Sequence, residues 1–291
     1  MTAPLRPIAA ALLLTLAATG CAAGAATPTP EKKPTAPAVS EQAAELALPF
    51  DAYKLDDAST LTVEAAQDVL LRDCMQRRGM RWTLLPRTED QGLDPPNRRR
   101  YGVIEAEVAR GFGYHPPPEP VGEARHAALR DRRDNGLSDD DFRAAYGKDG
   151  LGGCWKRAGA ALQQGIPDGD DSRFDDLDEK AYTASQRDAE VIRAVRTWRG
   201  CMKDAGFHYD HPLKPARDPR WRKADRPSPR EIATAAKDVR CKQRSRLVTV
   251  WSAAETRLQQ AAIRRHPAYF QERKSSQDRL LAAARKTLRE R

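Results

Sequence analysis

Apolar residues recur at helical spacing through most of the chain beyond residue 60, and proline- and glycine-rich stretches separate the periodic runs. Val63, Ala66, Val69, Leu70 and Cys74 form a first stripe, with Thr62 placed to cap it, Glu64 in its first turn and Gly79 to end it. Glu105 to Arg110 reads as a short helix closed by Gly111. Ser138 followed by Asp139, Asp140 and Asp141 reads as a capped helix start, with Phe142, Ala145 and Tyr146 facing inward. A further helix begins near Cys154, carries the stripe Trp155, Ala158 and Leu162, and stops at Gly165-Ile166-Pro167. From the acidic start at Asp168 to Ser172, one helix is expected to run to Gly206, with Val191, Val195, Trp198 and Met202 on one face. Ser228-Pro229-Arg230-Glu231 combines a capping serine, a proline at the first helical position and a glutamate at the third. The stripe from Ile232 through Val239, Leu247, Val250 and Leu258 to Ala261 predicts a single helix to about Arg265, roughly 50 Å long. His266-Pro267 breaks it, and a last helix carries Leu280, Leu281, Ala284 and Leu288. The expected fold is all-α.

Within that pattern one device occurs twice. Cys74-Met75 stands four residues before Gly79, and Cys201-Met202 four residues before Gly206; an aromatic follows each glycine at the third position, Trp82 and Tyr209. Each Cys-Met helix is followed by a later cysteine, Cys154 and Cys241. Four cysteines allow three pairings. Cys74–Cys154 with Cys201–Cys241 is the expected set, because it makes each repeat a self-contained pair of stapled helices; a crossed pairing would instead join the two halves. On the first pairing the chain divides into a helical half at 51–167 and a second at 168–291.

The N-terminal fifty residues lack this periodicity. Arg6 and the apolar run from Ile8 to Ala18 have the form of an export signal, too short to span a bilayer as a mature helix. Ala18-Thr19-Gly20-Cys21 resembles the lipobox of bacterial lipoproteins, which implies cleavage after residue 20 and acylation of Cys21; an ordinary secreted protein cut nearby is the alternative. Parity favours the lipid, because five cysteines leave one over when four are paired. Residues 21–50, rich in Ala, Pro and Thr, read as a disordered stalk above the membrane.

Composition narrows the chemistry. Of 291 residues, 50 are Lys or Arg against 41 Asp or Glu, a net charge of +9 spread among many acids. That permits attraction to an anionic wall polymer or to lipid head groups and, in an exported chain, points away from nucleic acid. Arg98-Arg99-Arg100-Tyr101 is the densest basic run, read as a solvated loop in preference to a phosphate patch. Asp168, Asp170, Ser172, Asp176 and Glu179 have the ligand spacing of a calcium loop, but Arg173 occupies the position that needs glycine, so an acidic helix start is the preferred reading. His208, Asp210 and His211 carry the donors of a metal site, yet the first repeat has Arg81, Thr83 and Leu84 in those places, and a turn closed by Pro212 is the simpler reading. There is no Gly-x-Ser-x-Gly, no His-Glu-x-x-His and no phosphate-binding loop.

The order of lipobox at Cys21, stalk, Cys74 to Gly79, Arg100-Tyr101-Gly102, Gly152-Gly153-Cys154, Trp198 to Gly206 and Cys241 ahead of a long helix resembles a group of uncharacterised lipoproteins of high-GC actinobacteria. The resemblance implies a lipid-anchored helical body and brings no activity or cofactor with it. The expected function is a non-enzymatic binding or accessory module at the outer face of the cytoplasmic membrane. Its partner would be a transporter or sensor, or an anionic wall polymer. The alternative is an envelope hydrolase or metal-dependent enzyme.

Overall fold

Six of the α-helices begin where an N-cap side chain takes up free backbone N–H groups. The structure, a computed structural model, describes residues 35–86, 94–119, 121–167, 169–221 and 224–290; the expected signal segment, Cys21 and the expected stalk up to residue 34 lie outside them. The described residues form eleven α-helices and no strand. They are α1 (Glu41–Ala44), α2 (Asp57–Gln76), α3 (Ala106–Phe112), α4 (Val121–Asn135), α5 (Asp139–Tyr146), α6 (Gly153–Leu162), α7 (Asp171–Ser185), α8 (Ala189–Lys203), α9 (Pro229–Arg244), α10 (Leu247–Arg265) and α11 (Pro267–Arg289). Ser138 caps α5 and Ser228 caps α9, each accepting the N–H three residues on, as the sequence predicts.

Several boundaries differ from expectation for local reasons. Asp56, not Thr62, caps α2 by accepting from the Ser59 N–H at 2.7 Å, and Thr62 instead donates to the Ala58 carbonyl inside the helix. The short helix α3 ends at Gly113, with φ of 60°, rather than at Gly111. α4 has no counterpart in the apolar pattern, because its apolar residues are mostly alanine and charged side chains fill most of the rest. The expected helix into the second Cys-Met device is two helices, since Asp188 turns back to cap α8 through the Glu190 and Val191 N–H groups. The single helix expected from Ser228 to Arg265 breaks at Arg246, which adopts a left-handed φ of 51° and starts α10 in a new direction.

The two Cys-Met devices close alike. The Met80 N–H returns to the Met75 carbonyl and the Phe207 N–H to the Met202 carbonyl, both at 3.0 Å, across a left-handed glycine at Gly79 and Gly206. Met75 and Met202 are wholly buried behind these turns. The cysteines pair as Cys74–Cys154 and Cys201–Cys241, joining α2 to α6 and α8 to α9.

The halves are nonetheless not separate bodies, and the folded unit runs Thr35–Arg291. α11 packs along α2, and α3 along α9. The core around Trp198 and Trp251 takes in Tyr101 and Ile104 from the first half, and Ala43 and Leu46 from the segment before it. The last residues of the segment expected to be a stalk are part of the folded unit. Ala43, Leu46, Leu48 and Phe50 are buried, and Phe50 packs between Phe174 and Phe270. Four apolar side chains in eight residues suffice to dock this segment once the second half provides a surface for it.

Where α5 meets α6 the approach is backbone on backbone. A Cβ at Gly153, whose φ is 61°, would lie 2.5 Å from the Ala144 carbonyl oxygen. Glycine there lets α6 start against the end of α5 and fixes the angle between them. Phe142 of α5 and Trp155 of α6 are nonetheless uncovered, although both belong to stripes that predict burial.

Candidate functional site

A groove of about 1000 Å³ runs between α2, α4, α5, α6 and the end of α11. Phe142, Tyr146 and Trp155 supply its aromatic surface, Leu61 and Leu71 the α2 wall, and Leu288 the α11 side. Phe142 is 42% exposed and Trp155 41%, and the two rings Phe142 and Tyr146 lie 5.1 Å apart. Leu151, more exposed still, follows the lining residue Gly150. Three of the four exposed large apolar side chains among the described residues therefore gather at or beside one groove. Apolar clustering of this kind marks a surface that receives something.

Besides the exposed Arg130–Glu64 ion pair and His126, the groove's ionic residues fall into two sets. In the first, Arg133 donates to Asp68 at 3.0 Å and to Asp134 at 2.9 Å, and stacks over Trp82 at 4.1 Å. Trp82 donates its indole N–H to Asp68, and the Tyr146 hydroxyl donates to Asp134. Burial, with the charge of Asp134, pushes the Tyr146 hydroxyl up to about 12. Burial alone would lower the Arg133 guanidinium, but its bond to Asp134 and the charge of Asp68 outweigh it and hold it above its usual value. These residues hold one another and brace the aromatic wall. In the second set, Arg285 and Arg289 are exposed and form no ion pair among the described residues, which leaves positive charge at the α11 end.

The basic run Arg98-Arg99-Arg100-Tyr101 is not the solvated loop expected: Arg99 stays exposed, and the other three turn inward. Arg98 is buried and doubly bonded to Glu105, whose carboxylate also accepts from the Ser40 N–H. Arg100 bridges Asp178 and Glu255, and the Tyr101 hydroxyl donates to Glu255 at 2.8 Å. The run is an internal clasp that ties the first half to α7 and α10. A second internal cluster joins Tyr114, Trp198 and Lys242 to the wholly buried Asp238.

Beside that cluster, both ring nitrogens of His115 meet acceptors, Nδ1 with Glu231 at 2.8 Å and Nε2 with the Ala224 carbonyl at 2.9 Å. Burial opposes the charge, but the Glu231 bond and the carbonyl outweigh it and raise His115 above its ordinary 6.5. A raised histidine contributes stability that is full below the unfolded value and is lost as pH rises through the folded one. His115→Gln is therefore expected to lower the urea midpoint more at about pH 5.5 than at about pH 8.5. An equal loss at both values would remove the charge from the account.

The residues singled out for metal chemistry are placed apart from the groove. Asp210 is exposed and pairs with Lys214 at 2.7 Å; His208 is exposed; His211 is half-buried with its ring edge-on to Trp251. Among the described residues no group of three His, Cys, Asp or Glu side chains is gathered as ligands. The calcium-loop spacing falls on a helix: Asp170 caps α7 through the Arg173 N–H, Asp176 pairs with Lys180 along it, and Asp168 lies outside the described residues. The groove has no signal in the sequence because periodicity tells which side of α5 and α6 is apolar, not whether another element covers it.

The chain matches no protein-family model, and neither a curated protein nor a solved structure resembles it at a significant level.

Proposed function

We propose that the chain is a lipid-anchored, non-enzymatic binding module at the outer face of the cytoplasmic membrane, and that its groove receives an apolar, acidic segment of a membrane protein. The observation that carries this is the gathering of Phe142, Leu151 and Trp155 at one concavity. A wall polymer would be met by charge, whereas uncovered aromatic side chains beside arginine are the anchors typical of protein interfaces. Arg285 and Arg289, without an ion pair among the described residues, supply the complement for acidic residues flanking the apolar ones.

Two features support the location. The disulfides use four of the five cysteines, which leaves Cys21 as the thiol available for acylation and suits an oxidising compartment. No helix among the described residues is long and apolar enough to cross a membrane. Acyl chains on Cys21 would hold the protein to the bilayer without one.

The test is chemical cross-linking on intact cells followed by mass spectrometry of the membrane fraction. The full chain is expected to capture one abundant membrane protein, and the Phe142→Ala/Trp155→Ala variant to lose at least about nine-tenths of it, since each hot-spot aromatic is worth about 2 kcal/mol. The urea midpoint of that variant should stay within error of the parent, both side chains being exposed. Capture of wall fragments alone would overturn the protein-partner reading.

A further inference from the structure

A second, smaller concavity of about 190 Å³ lies away from the groove, between α8, the end of α7 and α10. Its lining includes Val195, Arg196 and Arg199 of α8, Gln186 after α7, Trp251 of α10 and His211. His211 comes from the loop after the second Cys-Met device.

Three observations converge. First, the His211 Nδ1 accepts the Leu213 N–H at 3.3 Å, so the proton of the neutral ring sits on Nε2, and that N–H has no partner among the described residues. Second, Arg196 and Arg199 lie one turn apart on the exposed side of α8 and form no ion pair among the described residues. Third, the surroundings are cationic. Burial lowers His211 from its ordinary value, and Lys214, Arg217 and Lys242 lower it further against the single opposing charge of Asp210. Asp210 is already held by Lys214, and Lys242 by Asp238. The charge that lines the concavity without an ion pair among the described residues is therefore that of Arg196 and Arg199, which share it with the His211 imidazole and an apolar floor of Ile192, Val195 and Trp251.

We propose that Arg196, Arg199 and the Nε2–H of His211 form a binding site for a small anion, a carboxylate or phosphate group, whose apolar remainder rests on Val195 and Ile192. Two guanidinium groups and one N–H supply the charge-assisted bonds such a group needs. The volume admits a single small group and excludes a polymer chain from the floor of the site. This site is independent of the groove and stands whether or not the groove binds a protein.

The test uses the full chain, with inorganic phosphate and propionate as separate probes and sodium chloride at matched ionic strength as the control. The readout is the nitrogen and proton shifts of the His211 imidazole by NMR. At least one probe is expected to move the His211 signals saturably and to raise its titration midpoint by about one unit, because an anion beside the ring favours the charged form. The arm that responds tells phosphate from carboxylate. Arg196→Ala/Arg199→Ala, both on the surface, should fold normally and weaken binding about tenfold or more. Arg196→Lys/Arg199→Lys should recover part of it. Shifts matched by chloride, or unchanged in the alanine variant, would overturn the proposal, as would silence from both probes.

Discussion

Asp238→Ala lowers the unfolding free energy by about 3–5 kcal/mol, the range for breaking a buried ion pair from one side. Asp238 is wholly buried on α9, and it accepts from Lys242 at 3.0 Å, from the Trp198 indole at 2.8 Å and from the Tyr114 hydroxyl at 3.3 Å. Alanine leaves the Lys242 ammonium, 2% exposed, with only the Val103 carbonyl as a partner. It also strips the buried indole N–H of its acceptor. Much of the loss is thus the cost of an uncompensated charge rather than the value of the pair. A second change, Lys242→Met, removes that charge and should recover part of the stability in the double variant. Urea titration at neutral pH measures both. A loss under about 1 kcal/mol for Asp238→Ala would mean that water reaches the site or that the helices move to fill it.

Replacing either disulfide by a pair of alanines costs about 4 kcal/mol, and the longer loop costs more. Cys74–Cys154 closes 80 residues and Cys201–Cys241 closes 40. In the chain-entropy account a doubled loop adds about 0.6 kcal/mol. The bonds matter because so few aromatic residues, 6% of the chain, are available for the core. Urea titrations of the two double variants give the comparison. Equal or inverted losses would mean that residual structure in the unfolded chain outweighs loop length.

Features encoded by neighbouring residues were legible in the sequence. Ser228-Pro229 and Ser138 start helices because the cap needs only the next three residues. Gly79 and Gly206 end them because a left-handed closure needs only the preceding turn. The cysteine pairing was one of three choices, favoured because it keeps each repeat self-contained. Features that depend on distant partners were not legible. Arg98-Arg99-Arg100 looks like a solvated run until Glu255 and Asp178 arrive from 155 and 78 residues away. Leu46, Leu48 and Phe50 look like the end of a stalk until α7 and α11 present Phe174 and Phe270. The break at Arg246 is invisible because the apolar stripe continues in register across it. The groove is the same kind of case, since Phe142 and Trp155 sit on stripes that predict a core. Nothing local says that the covering element is missing.

The most direct measurement is site-specific photo-cross-linking on intact host cells, with the photoreactive residue at Leu151 beside the groove or at Ile192 on α8 as the comparison. The account predicts that Leu151 captures one membrane protein through a peptide of apolar residues flanked by Asp or Glu, and that Phe142→Ala/Trp155→Ala abolishes the capture. Capture from Ile192 but not from Leu151, or capture indifferent to the two alanines, would contradict it.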